Sequence, residues 1–370
     1  MAETATPPSP ARSPARLALR RLSRHRAAMA SAILLALLTL AGALGLWLSP
    51  NPYDRVYAEA IRVPPSLEAR PAGDAIEAAA RDALARARLE IEAVEVGADT
   101  IRITVSATRP IDPRNARYLD RADAFADAGF EAGAEPTTGT LTARVERTRF
   151  LLGTDANGRD LLSRILLALG ISLAIGALAT AVALVIGVAW GATAGFLGGA
   201  VDGAMMRIVD VLYALPFAFF VILLVAFFGR DLVLMFVAVG CIEWLDMARI
   251  VRGQTLMLRQ REFVTAAEAL GVRTAAIIRR HILPNLAGPV IVYVTLMVPK
   301  VILLESFLSF LGLGVQEPMT SLGVLISEGA KNMRNAPHML IWPSVALTLL
   351  LIALNFLGDG LRDALDPRDR

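Results

Sequence analysis

Apolar runs alternate along this chain with short polar stretches and one long polar stretch. The runs are Ala27–Leu48, Ile165–Phe196, Val209–Phe228, Leu232–Ile250, Leu286–Leu313 and Met339–Leu357. A helix needs about 20 apolar residues to cross hydrocarbon. Each run is therefore read as a span, the longer ones tilting or leaving the bilayer at their ends. A backbone in lipid must satisfy its own hydrogen bonds, which makes the spans helices. The expected fold is an all-α polytopic membrane protein of six transmembrane helices, with a small α/β insertion after the first. The expected order is a tail 1–26, a first transmembrane helix 27–48, an insertion 49–152, a five-helix core 153–361 containing a polar loop 251–285, and a tail 362–370. A cleaved signal peptide would have an apolar core of only ~7–15 residues. The first run is longer and ends in Trp47, an interfacial anchor type, so it reads as an uncleaved span.

The insertion is too long for a bare loop. Asp74 and Glu77 resemble a capping box, and Ile76, Ala80, Ala83, Ala87 and Ile91 recur at helical spacing. Val94 and Val96, then Ile101, Ile103 and Val105, alternate as strands do, with a turn at Gly97–Asp99. Tyr118, Ala122 and Phe125 suggest a second helix, and Leu141, Ala143 and Val145 a third strand. No histidine lies between residues 26 and 280, so no acid–base constellation forms here. The segment reads either as a structural cap or as a docking site for a soluble partner.

Charge sets the direction. Arg12, Arg16, Arg20, Arg21, Arg24 and Arg26 precede the first run. Arg249, Arg252, Arg259, Arg261, Arg273, Arg279 and Arg280 lie between the fourth and fifth, against only Glu262 and Glu268. Positive loops stay cytoplasmic, so the N-terminus and this loop are inside. An even number of spans puts the C-terminus there too and the insertion outside. The net charge of +3 records these arginines and calls for no nucleic acid. The composition, 55% hydrophobic and 19% charged, excludes an ordinary soluble domain. One cysteine, Cys241, excludes internal disulfides and reads as a small packing residue. His25, His281 and His338 are too scattered for a metal site, and His281 and His338 read as loop or interface residues. Neither Lys300 nor Lys331 follows a glycine, so no phosphate-binding loop exists and no cofactor is expected.

The most specific pattern is in the cytoplasmic loop: Gln260 through Gly271, then Val272–Arg280, then His281–Asn285. Phe263, Ala266, Ala267 and Leu270 are expected on one helical face, with Gly271 at a left-handed stop and Pro284 ending the next helix. Periodicity alone would equally suit a helix lying on lipid headgroups. The segment resembles the EAA loop of ATP-binding-cassette importer permeases, carried by Ala266, Ala267, Gly271, Leu283 and Pro284. Thr265 stands where that pattern has glutamate. Leu152–Arg164, Leu304–Gln316 and Asn355–Pro367 resemble motifs of the dipeptide, oligopeptide and nickel branch, specifically its second permease. The matches run in order from about Leu152 to the end, and the long insertion departs from the branch.

The resemblance implies a type I permease fold in the bacterial inner membrane, with both termini cytoplasmic. It implies a second permease, two ATPase subunits that hydrolyse the ATP, and an extracytoplasmic substrate-binding protein. Glu262, Phe263, Ala266, Ala267, Leu270 and Gly271 would form the coupling helix. Charges inside spans are costly and invite a functional reading. Glu243, Asp246, Lys300, Glu305 and the polar Asn355 are path candidates, or else they pair as structural glue, and Glu305 leans to the latter. Thr154–Gly158 offers turn chemistry, Asp155 or Asn157 a helix cap, and Arg159, Asp160 and Arg164 a place near the outer headgroups. Two other classes compete: a membrane-anchored enzyme with a catalytic outer module, and an exporter component. The missing nucleophile–histidine pairing speaks against the first, and the EAA-like spacing against the second.

Overall fold

The computed structural model describes residues 20–229 and 232–365. Arg12 and Arg16 of the basic flank, and the tail from Asp366 through Pro367 to Arg370, lie outside the described residues. The chain divides into two compact units. One comprises Met1–Gly45, Ile165–Ser327 and Trp342–Arg370, and the other Leu46–Arg164 and Glu328–Ile341.

The first unit is helical. Its helices are α1 (Arg26–Leu48), α4 (Leu161–Leu197), α5 (Gly199–Tyr213), α6 (Phe217–Phe228), α7 (Leu232–Arg259), α8 (Glu262–Ala269), α9 (Thr274–Ile277), α10 (Leu283–Phe310), α11 (Leu322–Asn332) and α12 (His338–Leu365), some of them shared at their ends with the second. Among the described residues four helices are long and apolar enough to cross a membrane: Arg26–Trp47, Leu161–Leu197, Thr274–Phe310 and His338–Leu365. The run Val209–Phe228 is not one helix. It breaks between α5 and α6, where Pro216 restricts Leu215 before it. The 12 residues of α6 rise roughly 18 Å, against a core of about 30 Å. The expected end at Pro284 is also corrected, since the helix runs unbroken from Thr274 to Phe310. A π turn at Ile278–Ile282 precedes the proline, and Asn285 Nδ2 donates to the His281 carbonyl at 2.7 Å. Proline brings no N–H and crowds the preceding turn, and the widened π turn accommodates it.

Small residues let α4 lie close to α7. A Cβ at Gly187 would stand 2.5 Å from Met247 Cβ, one at Gly191 2.4 Å from the Ala248 carbonyl, and one at Gly195 2.8 Å from the Arg252 carbonyl. With no hydrophobic drive between helices in lipid, such close backbone packing holds them together. Gly42 of α1 crosses Gly170 of α4 in the same way.

The second unit holds an antiparallel sheet of order β1-β2-β4-β3, with strands β1 (Glu90–Val96), β2 (Thr100–Ser106), β3 (Phe125–Ala132) and β4 (Thr138–Val145). Helix α2 (Asp74–Leu84) covers one face, burying Ile76, Ala80 and Leu84 with Ile101, Ile103, Val105, Leu141, Ala143 and Val145. Three local expectations change. The N-cap of α2 is Gly73, so Asp74 and Glu77 form no capping box, and Glu77 instead accepts from Arg81 at 2.7 Å. The helix stops at Leu84, Arg88 takes a positive φ of 56°, and Ile91 belongs to β1. The second helix is only a 3₁₀ turn (Pro113–Ala116) and α3 (Arg117–Asp120), and Phe125 opens a strand. A bulge between Ala126 and Gly129, with Asp127 at φ 54°, breaks the period-two signal of that strand.

Candidate functional site

Helix α8 starts after Arg261 and ends in a Schellman motif. Val272 N–H donates to the Ala267 carbonyl at 3.1 Å, Gly271 N–H to Glu268 at 2.9 Å, and Gly271 sits at φ 72°. Only a residue without a Cβ takes that angle cheaply. The buried side is Val264 and Ala267. Phe263, Ala266 and Leu270 point outward, Leu270 83% exposed, so Ala267 does not share their face as expected. Sequence reasoning missed Val264, whose i, i+3 spacing to Ala267 was the available signal. Glu262 is exposed in the first turn. Thr265 is exposed too, and its hydroxyl turns back to the Arg261 carbonyl at 3.4 Å. His281 is half-buried against the Phe263 ring.

Two arginines anchor the neighbouring helices. Arg252 of α7 grips Asp202 of α5 with two bonds of 2.6 Å, and Arg249 meets Asp210 at 2.9 Å. The Arg252 guanidinium holds the Asp202 carboxyl below the usual carboxylate range. Sequence reasoning missed both acids. They lie two turns apart on one face of α5, and that spacing was the signal.

The charged path candidates separate into two groups. Lys300 Nζ donates to Glu243 at 2.9 Å and to Asp246 at 2.8 Å. Glu243 is 3% exposed and Lys300 52%. A cavity of about 290 Å3 opens beside them, lined also by Tyr213, Phe220 and the half-buried Cys241. An ammonium held by two carboxylates leaves one net negative charge there. Glu305 is elsewhere and fully buried. Its Oε1 accepts hydroxyls from Ser309 and Ser321, each at 2.6 Å, tying α10 to the start of α11. The Leu304–Gln316 motif thus supplies an internal tie. Asn355 joins neither group, because its amide donates to its own helix at Leu351, 2.9 Å away.

In the second unit the Leu152–Arg164 motif folds around Asp155. Its Oδ1 accepts N–H bonds from Asn157 at 2.8 Å and Arg159 at 2.9 Å. Its Oδ2 meets Arg159 Nε at 2.8 Å and also Arg164 Nη1. Arg164, 1% exposed, continues to Glu328 at 2.9 Å. One expectation is corrected here. The cap of α4 is Asp160, whose Oδ2 accepts the Ser163 N–H at 3.0 Å, while Asp155 organises the loop. Arg159, Asp160 and Arg164 are buried, and each has a partner inside the unit. Burial pushes the Asp160 carboxyl up, against the hydrogen bonds from Ser163. His338 is likewise buried and bonds the Thr154 carbonyl at 3.1 Å, so it is an internal prop.

These features coincide with a known family. The model described as "Binding-protein-dependent transport system inner membrane component" matches residues 183–370. It takes in α8, the Lys300 group and Glu305. The model described as "N-terminal TM domain of oligopeptide transport permease C" matches residues 13–65. The chain belongs to the family of binding-protein-dependent transport system inner membrane components: it is a multi-pass inner-membrane permease subunit of an ATP-binding-cassette importer. It is 56% identical over 218 residues to the oligopeptide transport system permease protein OppC of Escherichia coli (strain K12), covering 59% of this chain and 72% of that one. It is 45% identical over 219 residues to the dipeptide transport system permease protein DppC of Bacillus subtilis (strain 168), covering 59% and 68%. It is 42% identical over 217 residues to the glutathione transport system permease protein GsiD of Pectobacterium atrosepticum, covering 59% and 72%.

Proposed function

We propose that this subunit forms half of the translocation path of a peptide importer. It pairs with a second permease, two ATPase subunits and an extracytoplasmic substrate-binding protein. The observation that carries the reading is the outward face of α8. Phe263, Ala266 and Leu270 are apolar, exposed and mounted on a helix fixed by Val264, Ala267 and the Gly271 cap. An apolar face this small, on a rigid stub, suits the groove of a partner protein.

In this account the six apolar runs are the six spans, the third of them broken at Pro216, both termini are cytoplasmic, and the 49–152 insertion is outside. The arginines of α7 and of the α8–α9 loop support that direction. ATP closes the ATPases, α8 follows them, and the spans exchange inward-facing for outward-facing. ATP drives this only by favouring one of the two states. Lys300, Glu243 and Asp246 border the path, and Glu305 keeps α10 and α11 moving together. A peptide substrate is the common chemistry of the relatives' names.

A tagged chain expressed in its native host is expected to co-purify with a second permease and two ATPases. Gly271→Trp is the sharper test. No atom lies within 4 Å of where its Cβ would be, so the internal cost is the left-handed backbone alone, roughly 1–2 kcal/mol. Peptide uptake should be lost while membrane insertion persists. Normal uptake by that variant contradicts the coupling role.

A further inference from the structure

The second unit carries a groove of about 630 Å3 that the transport reading does not use. One wall is the stretch from Pro50 to Tyr57, and the other is the chain from Arg144 to Arg149, at and after the end of β4. Asn51 holds the walls together, its Nδ2 donating to the Arg149 carbonyl at 3.0 Å. Four arginines line the groove, Arg55, Arg144, Arg147 and Arg149, against one carboxylate, Glu146. The volume falls within the roughly 300–1,000 Å3 of small-molecule sites.

The charge of the groove runs against its surroundings. Residues 49–152 carry 14 arginines and 17 carboxylates, and four of those arginines but only one of those carboxylates line it. The insertion is acidic as a whole, and this concavity is basic. Glu146 is shared, 3.5 Å from Arg55 and 3.6 Å from Arg144, and Arg144 also meets Asp127 at 3.1 Å. Among the described residues Arg147 and Arg149 make no ion pair within 4.0 Å, and both are exposed. Arg55 is steadied from behind, its guanidinium 4.9 Å from the centre of the buried Tyr57 ring. A second, independent observation is where the groove lies on the chain. Pro50 follows the end of α1 by two residues, so the first wall begins within about 7 Å of the end of a span. Trp47, 88% exposed, is the residue type that marks the water–lipid boundary. The headgroup layer is about 5–8 Å deep on each side of the hydrocarbon. The groove therefore opens at the depth of the phosphates.

We propose that this groove binds the phosphodiester headgroup of an anionic phospholipid, of the phosphatidylglycerol kind, from the leaflet on the insertion's side. Arg147 and Arg149, which have no acid of their own, meet the phosphate oxygens, since a guanidinium fork matches phosphate geometry. Arg55 and Arg144 keep the groove positive around them, and the acyl chains stay in the bilayer. The lipid then ties the insertion to the membrane surface. The proposal rests on α1 crossing the membrane and on no other part of the transport reading.

The test uses the full chain in mild detergent, titrated with lipid and read by native mass spectrometry. The probes are phosphatidylglycerol, phosphatidylcholine with the same acyl chains, and glycerophosphoglycerol, the first headgroup without its chains. Phosphatidylglycerol is expected to bind saturably and at least ~10-fold more tightly than phosphatidylcholine, whose choline cation offsets the phosphate. Arg147→Gln with Arg149→Gln should weaken phosphatidylglycerol at least ~10-fold, the worth of two arginines near an anionic headgroup. Arg114→Gln with Arg117→Gln, a pair of exposed arginines elsewhere on the insertion, should leave it unchanged. Both variants are read alongside the melting temperature, which should stay at the wild-type value. Equal binding of the two lipids by the folded wild type overturns the proposal, and so does an equal loss in the two double variants or no loss in either. Glycerophosphoglycerol binding as tightly as the lipid overturns the membrane source in favour of a free phosphodiester, and much weaker binding of it supports the lipid.

Discussion

Two motifs of this chain are built in opposite ways. The elbow at Leu152–Arg164 turns its charges inward: Asp155, Arg159 and Arg164 are buried and bonded to one another. Helix α8 turns apolar residues outward: Leu270 is 83% exposed, and Phe263 is exposed on the side away from His281. Each inverts the usual placement of polar and apolar groups. The elbow has its partners within the unit, so its residues serve the fold. The exposed side of the helix has few such partners among the described residues, which supports the proposal that it serves another chain. A conspicuous motif therefore reads as internal or external by where its odd groups find company.

The largest effect should come from the elbow. Asp155→Ala leaves Arg159 and Arg164 buried without their shared carboxylate, and breaking a buried pair costs about 3–5 kcal/mol. The variant should fail to accumulate in the membrane, measured by immunoblot and by melting in detergent. Wild-type abundance and melting would erase the contrast between the regions. Ala266→Ser with Leu270→Ser comes next, with the reverse signature. Surface changes away from internal contacts stay within about 0.5 kcal/mol, so melting should be unchanged while peptide uptake falls at least ~10-fold, as expected of an apolar hot spot.

A smaller, pH-dependent effect belongs to Asp202 and Arg252. The folded carboxyl sits below its ordinary value. Its contribution is then fully present above the unfolded pKa of about 3.9 and is lost as pH falls through the depressed folded value. Asp202→Asn should remove that acid-side loss in melting curves taken below about pH 4. At neutral pH it should cost no more than about 1 kcal/mol, because Arg252 is a third exposed and water screens the pair. The smallest effect is at Thr265, which lies on the exposed side and bonds only its own helix. Thr265→Glu should leave folding untouched and change uptake by less than ~3-fold, a few tenths of a kcal/mol.

The long spans were legible because lipid rewards unbroken apolar runs, and α1, α4, α10 and α12 carry such runs. The break within the third run was not legible, because hydropathy does not register the interruption at Pro216. The strands at Val94–Val96, Ile101–Val105 and Leu141–Val145 were visible through alternation, while β3 was hidden by its bulge. At the site, the positive φ of Gly271 followed from its place after a short helix. The facing of α8 did not, because Val264 and Ala267 are as apolar as the residues they turn away from. Nor did the salt link between Lys300, Glu243 and Asp246, which joins positions more than fifty residues apart.

The central claim is that the exposed face of α8 seats on an ATPase. It is tested most directly by cross-linking. Leu270→Cys, in a Cys241→Ser background, presents one accessible thiol on that face. Labelling that thiol with a maleimide–benzophenone and irradiating membranes that hold the assembled complex should join the chain to an ATPase subunit, with a yield that changes when ATP is added. A cysteine on the insertion, at the exposed Val96, should give no such product. An ATPase adduct absent from position 270, in membranes where the complex is intact and transporting, would contradict the account.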